Sequence, residues 1–243
     1  MTETRVLLLG GTGEARELAA ALMRDGVPVI SSLAGRVASP RLPEGEVRSG
    51  GFGGPEGLAQ WLAENRIAAV VDATHPFAQR ISASAAIACE CVGLPLLRLE
   101  RPGWSARPGD DWRWVADTPA AAAAIAGLGT RVFLTTGRQG LSAFADVPAW
   151  FLVRCIDRPE PPLPARHELL LDRGPYTLDG ELALIDRHGV DLLVTKDSGG
   201  RLTEAKLAAA RARHVPVIVI ARPARPDVPT VHDVAAALQW LRS

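Results

Sequence analysis

Lysine is nearly missing from this sequence: Lys196 and Lys206 stand against 25 arginines. A lysine kept against such a bias suggests a place where arginine's planar fork would not serve, which draws attention to Lys196. Tyrosine occurs once, at Tyr176, and the fourth residue after it is Gly180. That excludes the Tyr-x-x-x-Lys chemistry of short-chain dehydrogenases. Cysteine occurs three times, at Cys89, Cys91 and Cys155, an odd number that argues against a disulfide framework. Cys89 and Cys91 fall two apart in a helical pattern, so they do not share a face, and no histidine lies at zinc spacing from them. No metal site is expected. Formal net charge is zero, which removes any global field toward nucleic acid or a membrane surface. No apolar run reaches the length of a membrane span, and the start lacks a basic-then-apolar signal pattern, so a cytoplasmic protein is expected. The G-x-S-x-G nucleophile turn and the G-x-x-x-x-G-K-[ST] phosphate loop are also missing.

What is present begins with Val6-Leu7-Leu8-Leu9-Gly10-Gly11-Thr12-Gly13-Glu14-Ala15-Arg16. An apolar strand runs into three glycines, and Ala15, Leu18, Ala19, Leu22 and Met23 then recur at helical spacing. Such a strand-to-helix turn lets a pyrophosphate approach bare backbone at the positive end of a helix. The G-x-G-x-x-G/A pattern is met imperfectly in either register. Counting from Gly11 puts Arg16 in the last small position, whereas counting from Gly10 puts Ala15 there and Thr12 in the middle.

Strand and helix patterns alternate along the rest of the chain. The spacing predicts an α/β protein with two Rossmann-like doubly wound parallel-sheet domains and a cleft between them, 1–110 and 111–243. The Pro- and Gly-interrupted stretch Arg101–Asp111 reads as the linker, with pairing of a terminal strand of one half with the other half's sheet left open. A helix is expected to start at Pro76. The last helix is expected to open on Thr230-Val231-His232-Asp233 as a capping box, and Trp112 and Trp114 to pack the domain junction.

In open parallel sheets, ligands bind beyond the carboxyl ends of the strands. The second strand ends in Ser31-Ser32-Leu33-Ala34-Gly35-Arg36, with hydroxyls and an arginine where an NAD site carries an acid. That suits the extra phosphate of NADP, although an ordinary polar turn reads the same way. Gly50-Gly51-Phe52-Gly53-Gly54 reads as a ligand-approaching loop or a flexible connector. Asp72-Ala73-Thr74-His75-Pro76-Phe77-Ala78 offers His75 as an anion donor or proton shuttle, or merely as a helix-start residue. In the second half, Thr135-Thr136-Gly137-Arg138 and Thr195-Lys196-Asp197-Ser198-Gly199-Gly200 mix hydroxyl, glycine and cation as anion-binding loops do.

Together the glycine turn, Ser32-Leu33-Ala34-Gly35-Arg36, Gly50–Gly54, Asp72–Ala78 and Thr195–Gly200 resemble the precorrin-6A reductase family of cobalamin biosynthesis over nearly the whole chain. The resemblance implies hydride transfer from NADPH to the precorrin-6A macrocycle, giving precorrin-6B, with the first domain holding coenzyme and the second most of the tetrapyrrole site. It leaves metal-free and cobalt-containing substrates both open, and it suggests handover to neighbouring enzymes of the pathway. Gly10, Gly11, Thr12, Gly13, Glu14, Ser31, Ser32, Arg36 and Thr74 are then the coenzyme candidates. His75, Arg80, Arg98, Arg101, Thr136, Arg138, Lys196, Ser198 and Arg201 are the candidates for anchoring the substrate's carboxylates. His75 is the one candidate for a catalytic proton donor, with substrate binding as its expected main role. A non-catalytic NADP(H)-binding redox sensor and a nucleotide-dependent transferase are the competing readings.

Overall fold

A computed structural model describes residues 5–35 and 41–243. Leu7, Leu8 and Leu9 are at most 1% exposed in strand β1 (Arg5–Leu9), which is covered on both faces as a parallel strand requires. Helix α1 (Gly13–Arg24) turns Ala15, Leu18, Ala19 and Leu22 onto it. The chain continues through β2 (Val29–Leu33), β3 (Glu46–Ser49), α2 (Pro55–Glu64), β4 (Ile67–Asp72), α3 (Gln79–Val92) and β5 (Leu96–Leu99). Next come β6 (Trp112–Val115), α4 (Thr118–Ala124), β7 (Arg131–Leu134), β8 (Trp150–Cys155), β9 (His167–Leu171), α5 (Leu178–His188) and β10 (Leu192–Lys196). A short 3-10 turn (Arg201–Thr203), α6 (Ala205–Ala212), β11 (Val217–Ile220), β12 (Thr230–Val231) and α7 (Val234–Arg242) complete it. No helix among the described residues is long and apolar enough to cross a membrane.

The strands form two six-stranded parallel sheets, ordered β12-β5-β4-β1-β2-β3 and β6-β11-β10-β7-β8-β9. Counted from β1 and from β7, each sheet has the 3-2-1-4-5-6 arrangement of a doubly wound dinucleotide-binding fold. The sixth strand is exchanged: β6 follows β5 in sequence yet joins the second sheet, and β12 follows β11 yet joins the first. Each exchanged strand leads into a helix N-capped by an aspartate, Asp117 on Ala120 N–H and Asp233 on Ala236 N–H, both at 2.8 Å.

Accordingly the two units are Met1–Pro102 with Ala224–Ser243, and Gly103–Pro223. The chain leaves the first unit inside the expected linker, but it does not stay in the second, as a division at 110/111 assumed. The reason is β12: Arg98 N–H donates to Pro229 O and Glu100 N–H to Val231 O, at 2.8 and 2.9 Å. The same pairing overturns the capping box, because Thr230 lies in a strand and Asp233 itself caps α7. Helix α3 begins at Gln79 rather than Pro76, since Ala78 N–H donates to His75 O at 2.8 Å and closes a separate turn first. Trp112 and Trp114 belong to edge strand β6, where Trp112 packs on the second unit's core and Trp114 stands 49% exposed.

Candidate functional site

In the first unit the chain reverses direction between β1 and β4, so the turns after these strands flank the switch point where such sheets bind ligands. Thr12 joins the two turns. Its Oγ1 donates to Ala73 O at 2.8 Å and accepts from Ala15 N–H at 3.1 Å, capping α1. Gly11 has φ +115°, which a side chain rarely tolerates. A Cβ on Gly10 would lie 3.6 Å from Ala15 Cβ, and Ala15 is 3% exposed. The register counted from Gly10 therefore describes the turn: Ala15 is the small residue of close helix–strand packing and Thr12 fills the middle place as cap. Arg16 is released from that packing and lines a small recess with Gly10, Gly11, Ser31 and Arg41.

Ser31 is 1% exposed, and its Oγ has no hydrogen-bond partner among the described residues. Such a hydroxyl in the middle of β2, beside a glycine turn and Arg16, fits a ligand acceptor such as a ribose phosphate. Ser32 is engaged differently, accepting from the Arg48 guanidinium at 2.8 Å. Arg48 also donates to Gly50 O at 3.1 Å and Gly51 O at 3.0 Å, and it stacks 3.7 Å from the Phe52 ring centroid. The glycine loop after β3 is thus cross-linked to β2. Arg36 lies outside the described residues.

Around β4, Asp72 Oδ1 accepts from Thr74 N–H and Oγ1 at 3.1 and 2.6 Å, and Arg225 donates to Oδ2 at 2.8 Å. Arg225 also donates to Glu100 at 2.6 Å and to Ser82 Oγ, so one buried guanidinium ties the returning C-terminal segment to β4, β5 and α3. Arg98 belongs to this tie, donating to Pro226 O at 2.8 Å with Glu100 4.0 Å away. Burial and Arg225 push its pKa down. The Arg98 side chain is thus 10% exposed and engaged in this internal tie. Glu14 accepts from Arg101 at 2.7 Å, linking the first turn of α1 to the segment after β5. His75 Nδ1 accepts from Phe77 N–H at 3.3 Å, which leaves the neutral ring's proton on Nε2. Arg80 is exposed on the first turn of α3.

The second unit has its own switch point between β7 and β10. Thr136, 5% exposed, follows β7 with an Oγ1 that has no hydrogen-bond partner among the described residues, while Arg138 two residues on lies 3.8 Å from Asp157. Lys196, whose pKa burial lowers, is the last residue of β10, and Ser198 and the exposed Arg201 of the 3-10 turn follow it. Thr136, Arg138 and Ser198 are thus on the two turns that flank this second switch point, with Lys196 at the strand end before one of them and Arg201 just beyond. Asp197, 6% exposed, faces inward: Trp104 N–H donates to Oδ1 at 2.9 Å and Arg222 lies 3.1 Å from Oδ2. A Cβ on Gly103 would sit 2.5 Å from that carboxylate, so any other residue there would have to displace it.

Sequence reading missed Arg48, Arg225, Arg222 and the buried group Arg154–Glu181–Lys206. Arg225 meets Asp72 across 153 residues of sequence, and only the repeated Arg-Pro pairs at 222–226 mark that segment as unusual.

Two doubly wound units, the first with a glycine turn at its switch point, define a Rossmann-type protein of the dinucleotide-binding class. The chain matches the family model described as "Precorrin-6x reductase CbiJ/CobK" over residues 5–242. It is 55% identical over 241 residues to a precorrin-6A reductase of Rhodococcus erythropolis (98% of this chain, 97% of that one). It is 32% identical over 236 residues to a cobalt-precorrin-6A reductase of Salmonella typhimurium (92% and 89%). A solved structure titled CobK precorrin-6A reductase superposes with TM-score 0.91 at 41% identity, covering 98% of this chain and 96% of that one. The chain belongs to the precorrin-6x reductase family. It is a tetrapyrrole reductase of cobalamin biosynthesis that draws on a nicotinamide coenzyme, which removes the sensor and transferase readings.

Proposed function

We propose that this enzyme reduces metal-free precorrin-6A to precorrin-6B with NADPH. The observation that carries the coenzyme reading is the Ser31 hydroxyl of β2, buried and without a partner among the described residues, in a recess whose described lining includes Arg16 and Arg41 and no acid. A 2′-phosphate would accept a hydrogen bond from that hydroxyl and a charge-assisted one from Arg16. The metal-free substrate is favoured by identity: 53–55% to the actinobacterial precorrin-6A reductases against 28–32% to the cobalt-precorrin-6A reductases.

Residues of the first unit then hold the coenzyme. Gly10, Gly11 and the N–H groups at the start of α1 take the pyrophosphate, with Gly13 and Glu14 in that first turn and Thr12 and Thr74 shaping its floor. Ser32 acts by holding Arg48 and the glycine loop. In the second unit, Thr136, Arg138, Lys196, Ser198 and Arg201 hold peripheral carboxylates of the tetrapyrrole, with Arg80 and Arg101 as further cations of the first unit. The bound nicotinamide supplies the hydride. Reduction adds that hydride to one carbon and a proton to its neighbour, consuming one precorrin-6A, one NADPH and one proton. His75, with its proton on Nε2, binds a substrate carboxylate and leaves the proton to come from water or from the substrate's own acids.

The test mixes the protein with precorrin-6A or cobalt-precorrin-6A and with NADPH or NADH, following coenzyme and chromophore absorbance. Coupled changes with precorrin-6A and NADPH are expected. Preference for NADH, or for the cobalt substrate, overturns the corresponding half. For His75→Ala, weaker substrate binding with single-turnover hydride transfer retained at saturation is expected. Intact affinity with transfer abolished would make His75 the proton donor instead.

A further inference from the structure

Lys206, the second of only two lysines, is 3% exposed at the start of α6. Its Nζ donates to Thr203 O at 2.6 Å and lies 4.6 Å from the Trp104 ring centroid. These two contacts grip opposite ends of one loop. Thr203 closes the loop that begins after β10, and Trp104 is bound to its beginning through the 2.9 Å hydrogen bond from its N–H to Asp197. Between those ends stand Ser198 and Arg201.

Charged groups reach Lys206 from each neighbouring element: Arg154 on β8, Glu181 on α5, and Glu204 just before α6. Arg154 and Glu181 are already committed to one another through two hydrogen bonds of 2.5 and 3.1 Å, with the guanidinium stacked 3.7 Å from the Tyr176 ring centroid. The two partners act on Lys206 with opposite sign, and the Lys206 ammonium makes its own contacts with the loop. A buried ammonium makes a stronger bond to a carbonyl and a stronger contact with an indole than a neutral amine does.

We propose that Lys206 is a positioning residue for tetrapyrrole binding: its ammonium clamps Thr203 and Trp104 and so fixes the 197–203 loop that presents Ser198 and Arg201. This rests on the reading of that loop as part of the tetrapyrrole site. Burial, reinforced by Arg154 and opposed by Glu181 and Glu204, lowers the pKa of Lys206 to about 7. The clamp is therefore charged below neutrality and weakens as pH rises through 7.

The experiment uses the full chain with NADPH and precorrin-6A from pH 6 to 9. For the wild type, KM for the tetrapyrrole rises about tenfold across that range while KM for NADPH and kcat stay within about twofold, a tenfold change being ~1.4 kcal/mol. Lys206→Met raises the tetrapyrrole KM at pH 6 to the wild-type pH 9 value and removes the pH dependence. Hydrogen exchange of the unmodified protein, corrected for intrinsic rates, shows 197–203 losing protection from pH 6 to 9, so the proposal remains testable even if a variant misfolds. Unchanged loop protection, or a Lys206→Met enzyme with wild-type tetrapyrrole KM at pH 6, overturns the proposal. If loop protection changes but Ser198→Ala and Arg201→Ala leave the tetrapyrrole KM unaltered, it is the site assignment that fails, and the substrate role of Lys206 falls with it.

Discussion

Thr12 and Ala73 are 61 residues apart in sequence and joined by a 2.8 Å hydrogen bond, hydroxyl to carbonyl, across the switch point of the first sheet. The same hydroxyl caps α1, so one side chain sets both the start of the helix and its distance from the turn after β4. The helix N–H groups proposed to meet the pyrophosphate are thereby held in place before any ligand arrives. A middle glycine would give a closer backbone approach, but it could not make this bond.

Thr12→Val keeps the shape and removes the hydroxyl. Loss of a helix cap costs typically about 1 kcal/mol, and the stranded Ala73 carbonyl adds to it. Urea denaturation should show about 1–2 kcal/mol of lost stability, and calorimetric titration a several-fold weaker affinity for NADPH. A variant with unchanged NADPH affinity would remove Thr12 from the account of the coenzyme site.

Arg16 should decide between coenzymes. It is freed from the packing position by Ala15 and lines the recess with Ser31. A charge-assisted bond to phosphate is worth about 1.5–3 kcal/mol, so Arg16→Ala should lower kcat/KM for NADPH roughly ten- to a hundredfold. The value for NADH, which lacks the phosphate, should stay near wild type. Equal losses with both coenzymes would contradict a role at the 2′-phosphate.

Arg225→Met leaves Asp72, whose side chain is 2% exposed, without its cation. Removing one partner of a buried pair costs about 3–5 kcal/mol, because the carboxylate remains desolvated. Chemical denaturation should report a loss of that order. Asp72→Asn in the same background should cost less than the sum of the two single changes, since these residues share one network.

Lys206 also leaves a signature in stability. Its folded pKa of about 7 lies below the ordinary value of 10.5, so between these pH values the unfolded chain holds a proton that the folded chain has lost. Stability contributed by this group therefore rises as pH increases from about 7, and the penalty of burying its charge is greatest below 7. Cys89, pushed up to about 11 by burial, acts in the opposite direction from about pH 9 upward. Global unfolding hydrates Lys206, whereas loosening of the 197–203 loop leaves it buried with weaker contacts, so denaturation midpoints should climb between pH 7 and 9 in the wild type even as loop protection falls, and stay flatter in Lys206→Met.

Local pattern made much of this protein legible. Apolar runs broken by glycine and helical spacing located every strand but the exchanged β6 and β12, and parallel layering followed because both faces of β1 and β10 had to be covered. The glycine turn, Ser31, Thr136 and the 196–201 segment were readable because loops at strand ends carry their chemistry in consecutive residues. Arg48 was not readable, since an isolated arginine is ordinarily a solvated side chain. Its role depends on Ser32 and Phe52 meeting it from different parts of the chain.

The sequence by itself determined the strand–helix alternation, the turns that meet at each switch point and the family to which they belong, because those properties are written in neighbouring residues. Only the tertiary structure decided that β6 and β12 change sheets, that Ala15 rather than Arg16 fills the small position, and that Arg98 and Arg225 are internal ties. It alone brought Lys206 under the 197–203 loop. The physical reason is the same for all four: hydrogen bonds, packing and ion pairs between residues far apart in sequence depend on the distance between atoms, and no local periodicity encodes that distance.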